Sequence, residues 1–274
     1  MKRFQDIVAR VLRNAALGAI LLIVIAPILL TVTLSFDERD FLGPLPPTGF
    51  SLHWYKAFFG SPFYMHGAAV SLMVAAVAVA ISTTCGVMTA LFLSGRRFAG
   101  REALLSFFLS PLIVPNIVVG FAILMAFTFY GIGDAFTRLV AGHTLLIMPF
   151  TIRTTLVTLE GVRKSLTEAA LTLGARPWSV FWEVTFPLVR PGIVAGAVFA
   201  TSVSLQETAA SIFLTDDRVY TLSVALLSQM RANFDLTIAA AAGVYVLGVG
   251  ITVLLLDRLI GLDRITGRGA YSQH

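Results

Sequence analysis

One cysteine occurs in 274 residues, and that residue, Cys85, lies inside an apolar run. No intrachain disulfide can form, and the thiol reads as a small packing residue. Charge is also scarce: 13% of the residues are Asp, Glu, Lys or Arg, against roughly 25% in soluble domains. No G-x-x-x-x-G-K-S/T phosphate loop occurs, so the chain cannot hydrolyse ATP by itself. It also lacks a His, Cys, Asp or Glu cluster at metal-ligand spacing and a nucleophile paired with a base, so no bound cofactor or metal and no catalytic residue is expected. What fills the chain instead is apolar, 57% of all residues. This composition reads as an all-α polytopic membrane protein whose solvent is the lipid bilayer. The formal net charge of +5 does not mark a nucleic-acid binder, because the basic residues sit in short flanks of apolar spans.

Six spans are expected, at about 15–36, 67–94, 103–130, 139–159, 191–214 and 236–260, each long enough to cross a hydrocarbon core of about 30 Å at 1.5 Å per residue. Residues 1–14 form a basic amino-terminal segment, and 15–274 a single membrane domain. The first apolar run is too long for a signal-peptide core, and no small-x-small site precedes the acidic cluster at 37–40, so it reads as an uncleaved helix. Residues 41–66 are rich in Pro and aromatics; Pro44, Pro46 and Pro47 exclude a long helix at their start, and Trp54, Tyr55, Phe58 and Phe59 suit an interfacial belt. In the third span Pro111 and Pro115 break the hydrogen-bond ladder just before Asn116, as a pore-lining bend or a packing kink. In the fourth, His143 reads as a satisfied interfacial histidine and Arg153 as a snorkelling one. Gly192 and Gly196 form a small-xxx-small pair for close helix approach. A short helix is expected around Leu222–Ala232. With six spans both termini share a side. Fifteen of the twenty Lys and Arg residues fall on the side holding the termini and the 160–190 loop, which the positive-inside rule makes cytoplasmic.

That loop is the longest polar interruption of the second half. Val162, Leu166, Ala169, Ala170 and Leu173 recur at helical spacing. Gly174 stands where a helix can end in a left-handed residue, and Pro177 suits the first turn of a second short helix. Trp178, Phe181 and Trp182 share one face of it. Pro187 is expected to force Phe186 into extended geometry and to stop that helix. Glu168, Ala169 and Ala170, then Gly174, Val184, Phe186 and Pro187, carry the spacing of the EAA loop. The chain thereby resembles the permeases of ATP-binding-cassette (ABC) importers, with Val and Phe where the family more often has Ile and Leu.

The resemblance implies the type I importer permease fold, with Glu168, Ala169, Ala170, Gly174, Ala175, Trp178, Phe181 and Pro187 in a coupling element that docks on a separate ATPase dimer holding ATP and Mg. It also implies a second permease subunit and a periplasmic substrate-binding protein. Over most of the chain the order of features is similar to the second permease subunit of spermidine/putrescine-type importers: Trp54 and Tyr55, the Pro111 and Pro115 helix, Ala141, Gly142 and His143, then Leu205, Gln206 and Glu207. Those permeases commonly carry a pair of acids where this chain has Gln206 and Glu207, which weakens the case for a cation. Permeases for ferric iron, opines, phosphonates or sulfur oxyanions share the architecture.

Glu207 is the one ionisable residue deep in a span. A carboxylate at the bilayer centre costs roughly 2.5–3.5 kcal/mol on insertion scales, so it should face a cavity or a partner. Thr201, Ser204, Thr208 and Ser211 repeat at helical spacing beside it. Together with Gln206 and Asn116 they form a candidate translocation path, or for the hydroxyls a set of interhelical hydrogen bonds. A carrier using an ion gradient at Glu207 and a scaffold with no transport are the competing readings.

Overall fold

A chain this apolar must satisfy its backbone N–H and C=O groups internally, and helices do so within each segment. The computed structural model describes residues 2–40, 43–94, 98–232 and 235–256. Among them the only β pairing is an isolated bridge between Asp37 and Phe50. The helices are α1 (Lys2–Ser35), α2 (His53–Gly60), α3 (Pro62–Ser94), α4 (Arg101–Leu109), α5 (Asn116–Phe129), α6 (Ala135–Gly161), α7 (Lys164–Thr172), α8 (Pro177–Val180), α9 (Phe186–Gln206), α10 (Ser211–Leu214), α11 (Leu222–Ala232) and α12 (Thr237–Leu256). Four stretches are long and apolar enough to cross a membrane: Leu12–Ser35, Pro62–Ser94, Ala135–Gly161 and Pro177–Gln206. The pair Arg101–Leu112 and Asn116–Phe129 would make a fifth. The expected sixth span contains α12, of which the apolar stretch Thr237–Gly248 is shorter than a crossing requires. The end of that span at 257–260 and the tail with Arg258, Arg264 and Arg268 lie outside the described residues, as do Arg96 and Arg97 of the second loop.

Several boundaries differ from expectation. The second span starts at Pro62, five residues early, because a proline in a first turn loses no hydrogen bond. The third is not one helix: Pro111 and Pro115 leave two helices at 99° to each other. Phe186 is helical, with φ −61° and ψ −46°, and Pro187 does not stop the chain. A π-turn, Phe181–Thr185, comes just before it, and the Phe186 N–H reaches back to the Phe181 carbonyl. This wider turn takes Pro187 without the clash its ring would make in an α-helix. The second helix of the loop is therefore not short. With the π-turn it runs unbroken as Pro177–Gln206, 30 residues. At its far end the fifth span stops at Gln206 rather than 214, and Glu207 is extended. Thr201, Ser204, Thr208 and Ser211 thus do not form one helical stripe.

The chain divides into two compact units, Met1–Pro62 with Gln229–Gly248, and Phe63–Ser228 with Val249–His274. In the first, Trp54 packs with Leu34, Leu236 and Ala240, and its indole N–H donates to the Asp37 carbonyl at 2.9 Å. The Arg39 guanidinium, hydrogen-bonded to the Asp37 carboxylate, holds that carboxyl below its usual range. The expected aromatic belt is split: Trp54 and Phe58 are buried, while Phe59 is exposed. Apolar side chains of α1 such as Leu22 and Ile23 are exposed all round, as suits a helix surrounded by lipid or another chain.

In the second unit α6 and α9 form the central pair. A Cβ on Gly192 would lie 1.9 Å from Thr158 Oγ1, and one on Gly196 2.2 Å from Thr154 Oγ1. The two glycines let the helices meet at the backbone, as their spacing predicts. Val70, Val74, Val119, Leu139, Leu146, Ala210 and Leu214 form a core that packs α10 against α3, α5 and α6. Cys85 is not part of it: it faces outward from α3 and is exposed. Apolar neighbours in sequence do not imply a packed face where a helix's outer side meets lipid.

Candidate coupling elbow and carboxylate site

The 160–190 loop opens with α7. Its end is a Schellman turn: Ala175 N–H donates to the Ala170 carbonyl at 3.1 Å, Gly174 N–H donates to Leu171 at 3.0 Å, and Gly174 has φ +86°. Arg176 then caps α8 in extended geometry with Pro177 at the first helical position. None of α7 is buried. Glu168, Ala169 and Gly174 are exposed, and Ala170 and Ala175 half-buried. Leu173 is 88% exposed and Trp178 70%. The rings of Trp178, Phe181, Trp182 and Phe186 make edge-on and tilted contacts in a row, with Trp182 5.6 Å from Trp178 and 5.0 Å from Phe186. The elbow is thus a hydrogen-bonded turn presenting apolar surface that nothing in this unit covers.

At the root of the elbow lies a cavity of about 940 Å³ between the start of α4, the end of α6 and the start of α7. Arg101 ties its walls. The guanidinium donates from Nε to the Leu93 carbonyl at 2.9 Å, from Nη1 to Glu102 at 2.7 Å and from Nη2 to Glu160 at 3.2 Å.

The second candidate site is the break at 207–210. Glu207 is 7% exposed. Its Oε1 accepts the Ala210 N–H at 2.8 Å and its Oε2 accepts from Asn116 Nδ2 at 2.5 Å. Its carbonyl accepts from Ser211 Oγ at 2.9 Å and Ser223 Oγ at 3.0 Å. None of the ion pairs among the described residues includes Glu207. Among the described residues the carboxylate is therefore held by neutral donors. It lines an open cavity of about 370 Å³ with Phe199, Ser202, Val203 and Gln206. The approach of α5 depends on Gly120, where a Cβ would stand 2.6 Å from Ala210 Cα and 2.7 Å from its carbonyl oxygen.

Of the expected path residues, Asn116, Glu207, Ser204 and Ser211 come together and Gln206 shares the cavity. The Thr208 hydroxyl donates to the Gln206 carbonyl, and that of Thr201 to its own helix at Ala197. His143 has partners on both ring nitrogens, as a satisfied histidine should: it is 2% exposed, with Nδ1 2.7 Å from Ser204 Oγ and Nε2 3.0 Å from Ser211 Oγ. Its role and that of Ser223 escape the sequence reading. The one available signal was that a histidine in an apolar span needs two partners, and serines seven residues apart could supply them only if the helix broke between them.

A family model for the binding-protein-dependent transport system inner membrane component matches residues 82–263. The chain belongs to that family. It is an ABC importer permease subunit and a multi-pass inner-membrane protein. The spermidine/putrescine transport system permease protein PotC of Shigella flexneri is 26% identical over 262 residues, covering 96% of this chain and 98% of that one. The molybdenum transport system permease protein ModB of Escherichia coli strain K12 is 35% identical over 156 residues, 52% of this chain and 68% of that one. In fold, this permease is similar to a chain of a bacterial ABC transporter involved in the import of the acidic polysaccharide alginate, with TM-score 0.71 at 17% identity over 97% of this chain and 100% of the other.

Proposed function

We propose that this permease forms half of the translocation path of an ATP-driven importer for a small cationic solute of polyamine type. It spans the membrane six times with both termini in the cytoplasm. The elbow at 160–190 takes its push from a separate ATPase dimer that holds ATP and Mg, a sister permease supplies the other half of the path, and a periplasmic binding protein delivers the solute. One observation carries this reading. The exposed elbow continues without a stop into the 30-residue helical stretch Pro177–Gln206, which ends at Glu207. At 1.5 Å per residue that is a rod of roughly 45 Å, long enough to link a docking surface on one side of a bilayer to a carboxylate within it. Motion of the elbow then displaces one wall of the Glu207 cavity, as rigid-body alternating access requires.

The charge of the solute is argued from the site. A buried carboxylate with no ion-pair partner among the described residues favours a positively charged ligand. The identity with the molybdenum permease raises the alternative of an oxyanion, which the same carboxylate disfavours. In proteoliposomes holding the complete transporter, spermidine uptake should require the ATPase and survive a protonophore, and Glu207→Gln should raise its half-saturation concentration without dissociating the ATPase. Uptake that runs without the ATPase and collapses with the protonophore would instead make this an ion-coupled carrier.

A further inference from the structure

We propose that His143 is the positioning residue of the Glu207 site: its ring pins the two halves of the broken fifth span together and so fixes where the carboxylate stands. This rests on the reading of Glu207 as the solute's counter-charge. Ser204 lies in the last turn of α9 and Ser211 opens α10. In an unbroken helix seven residues would separate them by about 10.5 Å along the axis, beyond one ring making bonds of 2.7 and 3.0 Å. The double grip therefore exists only when the chain is broken between them, and it holds the break at one width.

The hydrogen bonds also have a direction. Ser211 gives its single hydroxyl proton to the Glu207 carbonyl, so it can only accept from His143. Nε2 of the neutral ring then carries the hydrogen, and Nδ1 accepts from Ser204. The chain of bonds from Ser204 through the ring and Ser211 ends on the backbone of Glu207. Ala210 and Ser211 bond to Glu207 across the break from within the same segment, and Asn116 reaches only the carboxylate. Among the hydrogen-bonded groups named around Glu207, His143 alone reaches both the last turn of α9 and the first of α10 from another helix.

The test uses the complete transporter in proteoliposomes, with spermidine delivered by its binding protein as the probe. An asparagine amide reaches where Nδ1 sits and a glutamine amide where Nε2 sits, so His143→Asn and His143→Gln each keep one arm and lose the bridge. Each should raise half-saturation about tenfold, the value of one or two net hydrogen bonds. Ser204→Ala should do the same, Ser211→Ala at least as much because it also loses its bond to the Glu207 carbonyl, and the double serine variant should be no worse than Ser211→Ala, since one pin is lost only once. In a Glu207→Gln background His143→Asn should add nothing. Hydrogen exchange of residues 205–214, read without any solute, should speed up about tenfold in His143→Asn. Additive serine effects, an undiminished His143→Asn effect in the Glu207→Gln background, or unchanged exchange overturns the proposal. If Glu207→Gln leaves half-saturation unchanged, the counter-charge reading fails, and the exchange result still decides the pin. Should His143→Asn not assemble, Ser204→Ala carries the same measurements.

Discussion

Replacement of Gly174 isolates the backbone of the elbow from its contacts. The residue has φ +86° and nothing lies within 4 Å of where a Cβ would stand. A side chain there meets no neighbour, so any loss comes from the left-handed conformation itself. That conformation costs an L-residue roughly 1–2 kcal/mol, least for Asn and most for a β-branched residue. If the turn opens, the two Schellman hydrogen bonds from Gly174 and Ala175 go with it, about 1 kcal/mol each. A penalty of 1–2 kcal/mol lowers the population of the native turn by roughly five- to thirtyfold. Uptake and solute-stimulated ATPase activity in proteoliposomes should fall in the order Gly, Asn, Ala, Val, with insertion and expression unchanged because the turn lies outside the packed core. Gly174→Val at wild-type activity would refute the reasoning. So would an order set by side-chain polarity, which would indicate a surface contact instead of a backbone requirement.

Gly120→Ala sets a methyl group against the Ala210 backbone, where overpacking costs about 1–3 kcal/mol; it should lower thermal stability in detergent and weaken spermidine half-saturation together. Arg101→Gln removes the tie between Leu93 and Glu160; ATP turnover should persist while solute moved per ATP falls several-fold, measured as the ratio of the two rates. Asp134 caps α6 through the Thr137 N–H and hydroxyl, which hold its carboxyl below the usual range. Asp134→Ala should cost about 1 kcal/mol in thermal unfolding. A lowered carboxyl stabilises the fold above its unfolded value, so the advantage over Asp134→Ala should be full at neutral pH and be lost progressively as the pH falls below about 4, through the lowered folded value.

Much of this was legible in the chain. Gly174 and Pro177 announced the turn and the helix start because each residue has one backbone use there. Gly192 and Gly196 marked the close pair because only small residues bring helices together. Pro111 and Pro115 announced the bend, though two prolines four residues apart could not say that it would reach 99°. Pro187 misled, since a proline stops an α-helix but not one that has just widened into a π-turn, and no residue type signals such a turn. The break at Glu207 was hidden for a different reason. Neither Gly nor Pro occurs between Ser204 and Ser211; the break is held by tertiary hydrogen bonds from α5, α6 and α11, which lie far away in sequence. Hence the carboxylate was visible and its partners were not, apart from Asn116.

The central claim is that the 160–190 elbow is pushed by an ATPase. A photo-crosslinking residue in place of Trp178, in membranes containing the whole transporter, tests it most directly. A covalent adduct with the ATP-binding-cassette subunit is expected, its yield changing on adding ATP. Adducts with lipid alone, or labelling of position 178 from the periplasmic side, would contradict it.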